Sequence, residues 1–187
     1  MKAVEFLALR DTSPAGSLGG AAIPTTELDD LAAAVARTFH VSCRVRAEPV
    51  DISFAFDPER RQYHSTAVLA KLQLPGGDDT RRLGVTGLDL YVPVLTFVFG
   101  EAQVAGRCAV ISAHRLREEF YGLPPNANLL RERLTKAALH ELGHTFGLRH
   151  CLNWQCVMAS THAVERLDLK AAAFCRGCRR FLDSSLG

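Results

Sequence analysis

The chain has 187 residues, of which 48% are apolar and 22% charged, and its formal net charge is +2. A chain of this length forms one domain, residues 1–187, and buries roughly 70% of its unfolded surface without needing disulfide bonds. The small charge argues against a nucleic-acid partner, and no apolar run approaches the roughly 20 residues that a membrane span requires.

The N-terminal segment MKAVEFLALRDTS has the character of a first strand rather than a signal peptide. Its apolar run is short, is broken by Glu5 and is not followed by a small-residue cleavage site. A cytoplasmic location is therefore expected. In a reducing compartment the six cysteines are expected to be thiols or metal ligands rather than disulfides. They occupy positions 43, 108, 151, 156, 175 and 178.

The rest of the first half alternates strand and helix patterns, beginning with a β-α-β unit. The spacing of apolar residues and of Gly and Pro predicts strands over residues 2–9 and 41–50, helices over 26–39 and 65–74, a loop over 14–20 and a turn at 75–77. Further strands are predicted over 83–92, 94–100 and 107–113, and Pro93 indicates a change of pairing, as at a sheet edge. The fold class is therefore mixed α/β.

A long helix is predicted after the Pro124-Pro125 pair, capped by Asn126 or Asn128. One ridge of this helix is apolar at i, i+4 spacing and should face the core: Leu130, Leu134, Ala138, Leu142 and Phe146. His140 and His144 lie about 160° around the helix from that ridge, so they should face a cleft.

The segment HELGHTFGLRH, residues 140–150, has the spacing of a zinc site. Histidines at i and i+4 share one helix face, so His140 and His144 can bind one ion. Glu141 beside them can take a proton from a water molecule on the metal and return it to the leaving amine. Gly147 can end the helix in a left-handed turn, which lets the chain double back and deliver His150 as third ligand.

The alternative is that H-E-x-x-H arises by chance on an amphipathic helix. Gly147 and His150 stand at the required offsets and a methionine, Met158, follows shortly. These additions argue against coincidence.

A second cluster follows directly. Cys151 and Cys156 are five residues apart and Cys175 and Cys178 three apart, and two such pairs can close a tetrahedral zinc site. Free thiols are one alternative, and a redox-active Cys175/Cys178 pair is another, although no thioredoxin-like context surrounds it. Because His150 and Cys151 are neighbours, their side chains must diverge to different ions. Two zinc ions per chain are predicted, the second a structural staple that fixes both His150 and Met158.

The motif H-E-L-G-H-T-F-G-L-R-H followed by C-V-M resembles the signature of the metzincin metallopeptidases. The cysteine after the third histidine, the C-x4-C-x-M run and the later C-x-x-C resemble the archaemetzincins, as do L-G-V-T-G-L-D-L-Y and F-V-F-G-E-A upstream. This resemblance implies a metzincin-like zincin fold: a twisted mixed sheet with packed helices, and a catalytic cleft over a long active-site helix. It also implies a small zinc-stapled C-terminal subdomain over residues 148–187, after an N-terminal subdomain over 1–147.

The resemblance also assigns roles. It implies that His140, His144 and His150 hold catalytic zinc, that Glu141 is the general base and that Met158, in the Met-turn position, forms an apolar floor. A tyrosine that several metzincins carry two residues beyond that methionine is replaced by Ser160, so stabilisation of the transition state should rest more on zinc. The segment 94–101 resembles the metzincin edge strand that pairs with an extended peptide.

A zinc-dependent metallopeptidase acting on peptides or proteins, expected to be a monomer, is the function that the sequence favours. One alternative is a zinc-stapled peptide-binding protein with little turnover, which the intact Glu141 disfavours. Another is a metal-dependent rRNA-maturation protein with an H-x3-H-x5-H motif, which Glu141, the four cysteines and the low charge disfavour. The remaining histidines, at 40, 64, 114 and 162, are expected to be structural or solvated, and Cys43 and Cys108 to be small buried residues.

Overall fold

The structure is a computed structural model that describes residues 2–13, 22–73 and 79–186. The predicted loop over 14–20 and the predicted turn at 75–77 lie outside the described residues. The strands are Ala3–Arg10 (β1), Ser42–Val45 (β2), Val50–Asp51 (β3), Phe56–Asp57 (β4), Gln62–His64 (β5), Thr80–Thr86 (β6), Leu90–Tyr91 (β7), Gly100–Ala102 (β8) and Cys108–Ser112 (β9). The α-helices are Thr25–Phe39 (α1), Ser65–Leu72 (α2), Ala127–Thr145 (α3), Val164–Asp168 (α4) and Arg176–Leu186 (α5).

The main sheet is mixed, as predicted. Its strand order is β2-β1-β6-β9-β8, and β3 also pairs with β1. All of these pairings are parallel except that of β8 with β9, which is antiparallel. Strand β8 therefore forms one edge of the sheet. A smaller sheet has the order β4-β5-β7.

Helices cover both faces of the main sheet. Val4 and Phe6 of β1 are fully buried in a cluster with α1 and α3, whereas Leu7 and Leu9 are buried in a second cluster with α2. A strand buried on both faces is typical of the middle of a parallel sheet covered by helices. This packing fixes α3 against one face of the sheet.

Helix α3 begins as predicted, because the side chain of Asn126 accepts a hydrogen bond from the Leu129 amide at 3.1 Å. The whole predicted apolar ridge of this helix is buried in the core. The side opposite the ridge is left for the cleft.

The prediction of a strand over residues 94–100 is wrong for most of its length. Residues 93–97 form a turn, a single bridge joins Leu90 to Val98, and β8 starts only at Gly100. Pro93 has no amide hydrogen to donate to a ladder. Nearby side chains donate hydrogen bonds to the carbonyls of the turn: the Arg60 guanidinium donates to Leu95 and the Gln62 side-chain amide to Thr96. Those carbonyls therefore do not need a neighbouring strand.

Two other predicted strands are divided. The pattern over 41–50 forms β2 and β3, which both pair with β1 around the segment that holds Pro49. The pattern over 83–92 forms β6 and β7, because the side chain of Thr86 accepts the amide of Leu88 and turns the chain.

The C-terminal segment packs into the same core as the helices before it. Leu148, Val157, Met158 and Leu182 are buried in the cluster that contains α1 and α3. A boundary between subdomains at residue 147 therefore stays a prediction. Among the described helices, none combines the length and apolar character that crossing a bilayer requires.

Candidate metal centres and catalytic cleft

Three histidines converge at the C-terminal end of α3. The Nε2 atoms of His140 and His144 lie 3.2 Å apart, and the ring centroid of His150 lies 5.3 Å and 5.0 Å from those two rings. One ligand atom from each histidine falls within 4.8 Å of the others. The structure thus brings the predicted catalytic ligands together.

The two helix histidines are oriented by backbone carbonyls. Nδ1 of His140 lies 2.8 Å from the Val157 carbonyl and Nδ1 of His144 lies 2.8 Å from the Leu148 carbonyl. A carbonyl only accepts, so each Nδ1 donates and each Nε2 keeps its lone pair for a metal. Burial lowers the pKa of His140 to about 3 and also lowers the pKa values of His144 and His150. Neutral imidazoles with aligned lone pairs fit zinc.

Gly147 ends the helix as predicted, with φ at 95°. Its amide donates to the His144 carbonyl at 2.9 Å, and the Leu148 amide donates to the Gly143 carbonyl at 3.0 Å. This pair of bonds is a Schellman motif, whose left-handed position favours glycine. The turn delivers His150 and also supplies the Leu148 carbonyl that orients His144.

Glu141 lies beside the histidines in a tight environment. Its side chain is 8% exposed, and burial raises the pKa of its carboxyl to about 8, with a further rise from Glu101 and an opposing effect of Lys170. A Cβ atom at position 100 would stand 2.7 Å from Cγ of Glu141. Gly100 on the edge strand therefore leaves the space that Glu141 occupies.

Four cysteines form the second cluster, and no histidine belongs to it. Their sulfur atoms lie within 4.8 Å of one another, with Cys151 and Cys175 3.8 Å apart. None of these four cysteines forms a disulfide bond, and the Cys175 amide donates to the sulfur of Cys156 at 3.3 Å. A hydrogen bond from the Cys178 backbone lowers the pKa of Cys175 to about 7, whereas burial raises the pKa values of Cys156 and Cys178. Four thiols at this separation suit a tetrahedral zinc site.

One short stretch of backbone joins the two clusters. Val157, which accepts from His140, directly follows Cys156, and its amide donates to the Ala173 carbonyl at 2.9 Å. The Cys151 amide donates to the Met158 carbonyl, also at 2.9 Å. The orientation of His140 thus depends on a segment that also carries Cys156.

Met158 is fully buried beneath the histidines, against Gly143 of α3. It packs in the core with Phe146 and Leu182. This placement agrees with an apolar floor.

A recess of about 180 Å³ opens beside His140, Glu141 and His150. The rest of its lining comes from residues 95, 97–100 and 137 and from residues 160–162, 167 and 170. Sequence reasoning missed Gly100 and Lys170, because neither lies in a spaced motif. It also placed His162 among structural or solvated residues; the side chain is exposed, and it borders this recess.

Comparison with known proteins finds similarity over most of the chain. The profile described as Peptidase family M54 matches residues 43–184, which include both clusters. An archaemetzincin from Methanocaldococcus jannaschii is 46% identical over 129 residues, covering 69% of this chain and 70% of that protein.

Two solved structures are similar in fold. The crystal structure of archaemetzincin from Methanopyrus kandleri has a TM-score of 0.81 at 34% identity and covers 99% of this chain and 95% of its own. That of archaemetzincin from Archaeoglobus fulgidus, complexed with malonate, has a TM-score of 0.77 at 33% identity and covers 97% and 99%.

Proposed function

Since this chain belongs to peptidase family M54, the archaemetzincins, and is a zinc metallopeptidase, we propose that its three clustered histidines hold a catalytic zinc ion and that Glu141 is the general base. The observation that carries the proposal is the pair of Nε2 atoms at 3.2 Å, each with its Nδ1 held by a carbonyl. That arrangement leaves two lone pairs beside Glu141.

Zinc held by the histidines would polarise a water molecule and lower its pKa. The carboxylate of Glu141 takes the proton of that water as it attacks the peptide carbonyl. The same carboxyl then returns the proton to the nitrogen of the leaving amine, so the proton count balances. Burial raises the pKa of Glu141 to about 8, within about one unit of neutral pH, which suits a group that must both accept and release a proton.

The four cysteines are proposed to hold a second, structural zinc ion, giving two per chain. Support comes from four sulfur atoms within 4.8 Å that share no residue with the histidine cluster. Elemental analysis of purified protein should give close to two zinc ions per chain. It should give one after Cys175→Ser and Cys178→Ser together, whereas a count of one in both proteins would contradict the second site.

Peptide or protein substrates are proposed to bind in extended form along β8. This strand is the edge of the main sheet beside the recess, and a free edge can pair with an extended backbone. Both clusters are complete within one chain, which supports a monomer as the working unit. Free thiols gathered at one point suit a reducing compartment such as the cytoplasm.

The main competing function is peptide binding without turnover. Zinc-loaded protein should cleave members of an unbiased peptide library, and Glu141→Gln should keep both zinc ions but lose most hydrolysis, because an amide cannot accept the proton. Exposed Glu59 offers a matched control, since Glu59→Gln should cleave at the normal rate. Near-normal turnover in Glu141→Gln would remove Glu141 from the mechanism, and peptide binding without any cleavage by the parent protein would favour the competing function.

A further inference from the structure

Lys170 is a buried cation that lines the recess beside the histidine cluster. Its residue is 5% exposed, and its ammonium donates to the carbonyl of Ala159, the residue after Met158. Charge from Lys170 acts on Glu141, His140 and His150, so the ammonium lies close to the proposed reaction centre.

The backbone around Lys170 is firmly held. Both carboxylate oxygens of Asp168 accept from the buried Arg133 guanidinium at 2.7 Å, and the ammonium of Lys136 donates to the Asp168 carbonyl. The Lys170 amide in turn donates to Leu167 at 3.2 Å. Contacts with α3 and α4 therefore fix the backbone that carries Lys170, and its side chain is buried in the recess.

The charge of Lys170 is only partly satisfied. An ammonium has three donors, and the Ala159 carbonyl is the one acceptor that the described part of the chain offers it. Within that same part, no carboxylate forms an ion pair with Lys170. Burial lowers the pKa of this lysine to about 8, so the group is still mostly charged at neutral pH. Glu141 and Cys156 act on the ammonium through their charge without forming an ion pair with it. A buried ammonium without a directly bound carboxylate is costly, and a ligand carboxylate would offset that cost.

The recess has the size and walls for one side chain. Its volume of about 180 Å³ is close to that of a cavity that admits a benzene-sized group. Phe97, Phe99 and Leu167 line the recess with apolar surface that suits a methylene stem, and Lys170 adds a charged group to the same lining.

We propose that Lys170 makes this enzyme selective for peptides that place a carboxylate in the recess beside the scissile bond. The carboxylate comes from a Glu or Asp side chain or from the C-terminal end of the peptide. A purely apolar occupant would give the ammonium no acceptor for its remaining donors. This assignment rests on the proposed peptidase function, since it identifies one feature of the substrate at the same site.

The test measures peptide binding to zinc-loaded Glu141→Gln protein, so that nothing is cleaved. Three peptides are compared by calorimetry: acetyl-Ala-Ala-Glu-Ala-amide, acetyl-Ala-Ala-Gln-Ala-amide and acetyl-Ala-Ala-Gln with a free carboxylate. A peptide whose carboxylate reaches Lys170 should bind about 10-fold tighter than the uncharged Gln amide, the effect of one charge-assisted hydrogen bond. Tighter binding of the first peptide identifies a side-chain carboxylate, and of the third a C-terminal one.

Variants of the recess assign the effect to Lys170. The 10-fold preference should fall to about onefold in Lys170→Met and persist in Lys170→Arg, which keeps the charge. Exposed Lys71 of α2 is the matched control, because it is a lysine outside the recess, and Lys71→Met should keep the preference. Zinc content confirms that each variant is folded. If Lys170→Met does not fold, the comparison of the three peptides on protein that keeps Lys170 still tests the preference for a carboxylate.

Equal binding of all three peptides would overturn the proposal, as would a preference that survives Lys170→Met or disappears in Lys71→Met. A uniform loss of turnover in Lys170→Met on every peptide, without loss of preference, would assign Lys170 to stabilisation of the transition state instead. If the parent protein binds carboxylate peptides but cleaves none, the proposed function fails and the carboxylate preference stands.

Discussion

Met158 rests directly on the bare backbone of Gly143. A Cβ atom at position 143 would lie 2.5 Å from the sulfur of Met158 and 3.2 Å from its methyl carbon. Both residues lie under the histidine cluster, Gly143 one position before His144 and Met158 one position after Val157. The absence of a side chain at position 143 therefore determines how closely Met158 packs against α3 beneath the histidines.

Replacing Gly143 by alanine should push Met158 out of place. Overpacking of a filled core costs about 1–3 kcal/mol, which competes with the roughly 1 kcal/mol that alanine gains over glycine in a helix. Gly177→Ala supplies the control, because a Cβ atom there meets nothing within 4 Å. Denaturant unfolding should show Gly143→Ala less stable than Gly177→Ala by about 1–3 kcal/mol. Equal stability of the two variants would mean that Met158 adapts freely.

Loss of the zinc ion proposed at the four cysteines should weaken metal binding by the three histidines. The double change Cys175→Ser and Cys178→Ser touches no catalytic ligand, but it frees the segment whose Val157 carbonyl orients His140. Loss of such supporting contacts lowers metal affinity by about 10- to 100-fold. Zinc titration of the double variant should show this decrease, and its stability should fall further than that of His150→Ala. An unchanged affinity at the histidines would show that the two sites are independent.

Gly100→Ala should impair catalysis while leaving both metals bound. The new Cβ atom would come within 2.7 Å of Cγ and 2.9 Å of Oε1 of Glu141, and within 2.7 Å of the Val110 carbonyl oxygen on β9. The carboxylate and the edge strand that carries residue 100 must therefore shift relative to each other. A displacement of about 1 Å at a reacting group can reduce the rate on the order of 100-fold. Steady-state kinetics on a cleaved library peptide, together with a zinc count, measures the effect. Unimpaired turnover would indicate that Glu141 works from another position.

Acid should destabilise the metal-free protein through His140. Burial lowers the folded-state pKa of this imidazole from 6.5 to about 3, so the unfolded chain binds the proton more readily. The contribution to stability is full above pH 6.5 and is lost as the pH falls towards 3. Urea unfolding at about pH 6.5 and about pH 5 should differ by about 2 kcal/mol from this group.

His140→Gln should remove that part of the pH dependence. His40→Asn is the control, because His40 is exposed at the end of α1 with φ at 56° and asparagine tolerates this left-handed conformation. This variant should keep the pH dependence of stability. The same slope in His140→Gln would assign the acid sensitivity to other groups.

Local spacing was enough to predict that the three histidines and the four cysteines gather in two clusters. The i, i+4 histidines, the glycine turn and the cysteine pairs are each defined within a few residues of sequence, because one helix, one turn and one loop bring them together. The apolar ridge and the Asn126 cap of α3 are local in the same way. What could not be predicted depends on distant contacts.

Lys170 and Gly100 show that limit. Lys170 reaches the recess only because Arg133, 35 residues before Asp168, holds the end of α4 on α3. Gly100 faces Glu141 only after the sheet has placed β8 at its edge. The turn at 93–97 was likewise predicted as a strand, because the arginine and glutamine that take its carbonyls lie more than 30 residues upstream.

The bond between Cys151 and Met158 also bears on how this enzyme can be altered. The hydrogen bond from the Cys151 amide to the Met158 carbonyl closes a loop over the residues between them. Within this loop, Leu152 and Trp154 are exposed to solvent. Exposed loop tips tolerate insertion, and longer loops cost little extra closure entropy. Insertion at Leu152 can therefore place a foreign recognition sequence a few residues from His150, while Asn153 still accepts the Cys156 amide.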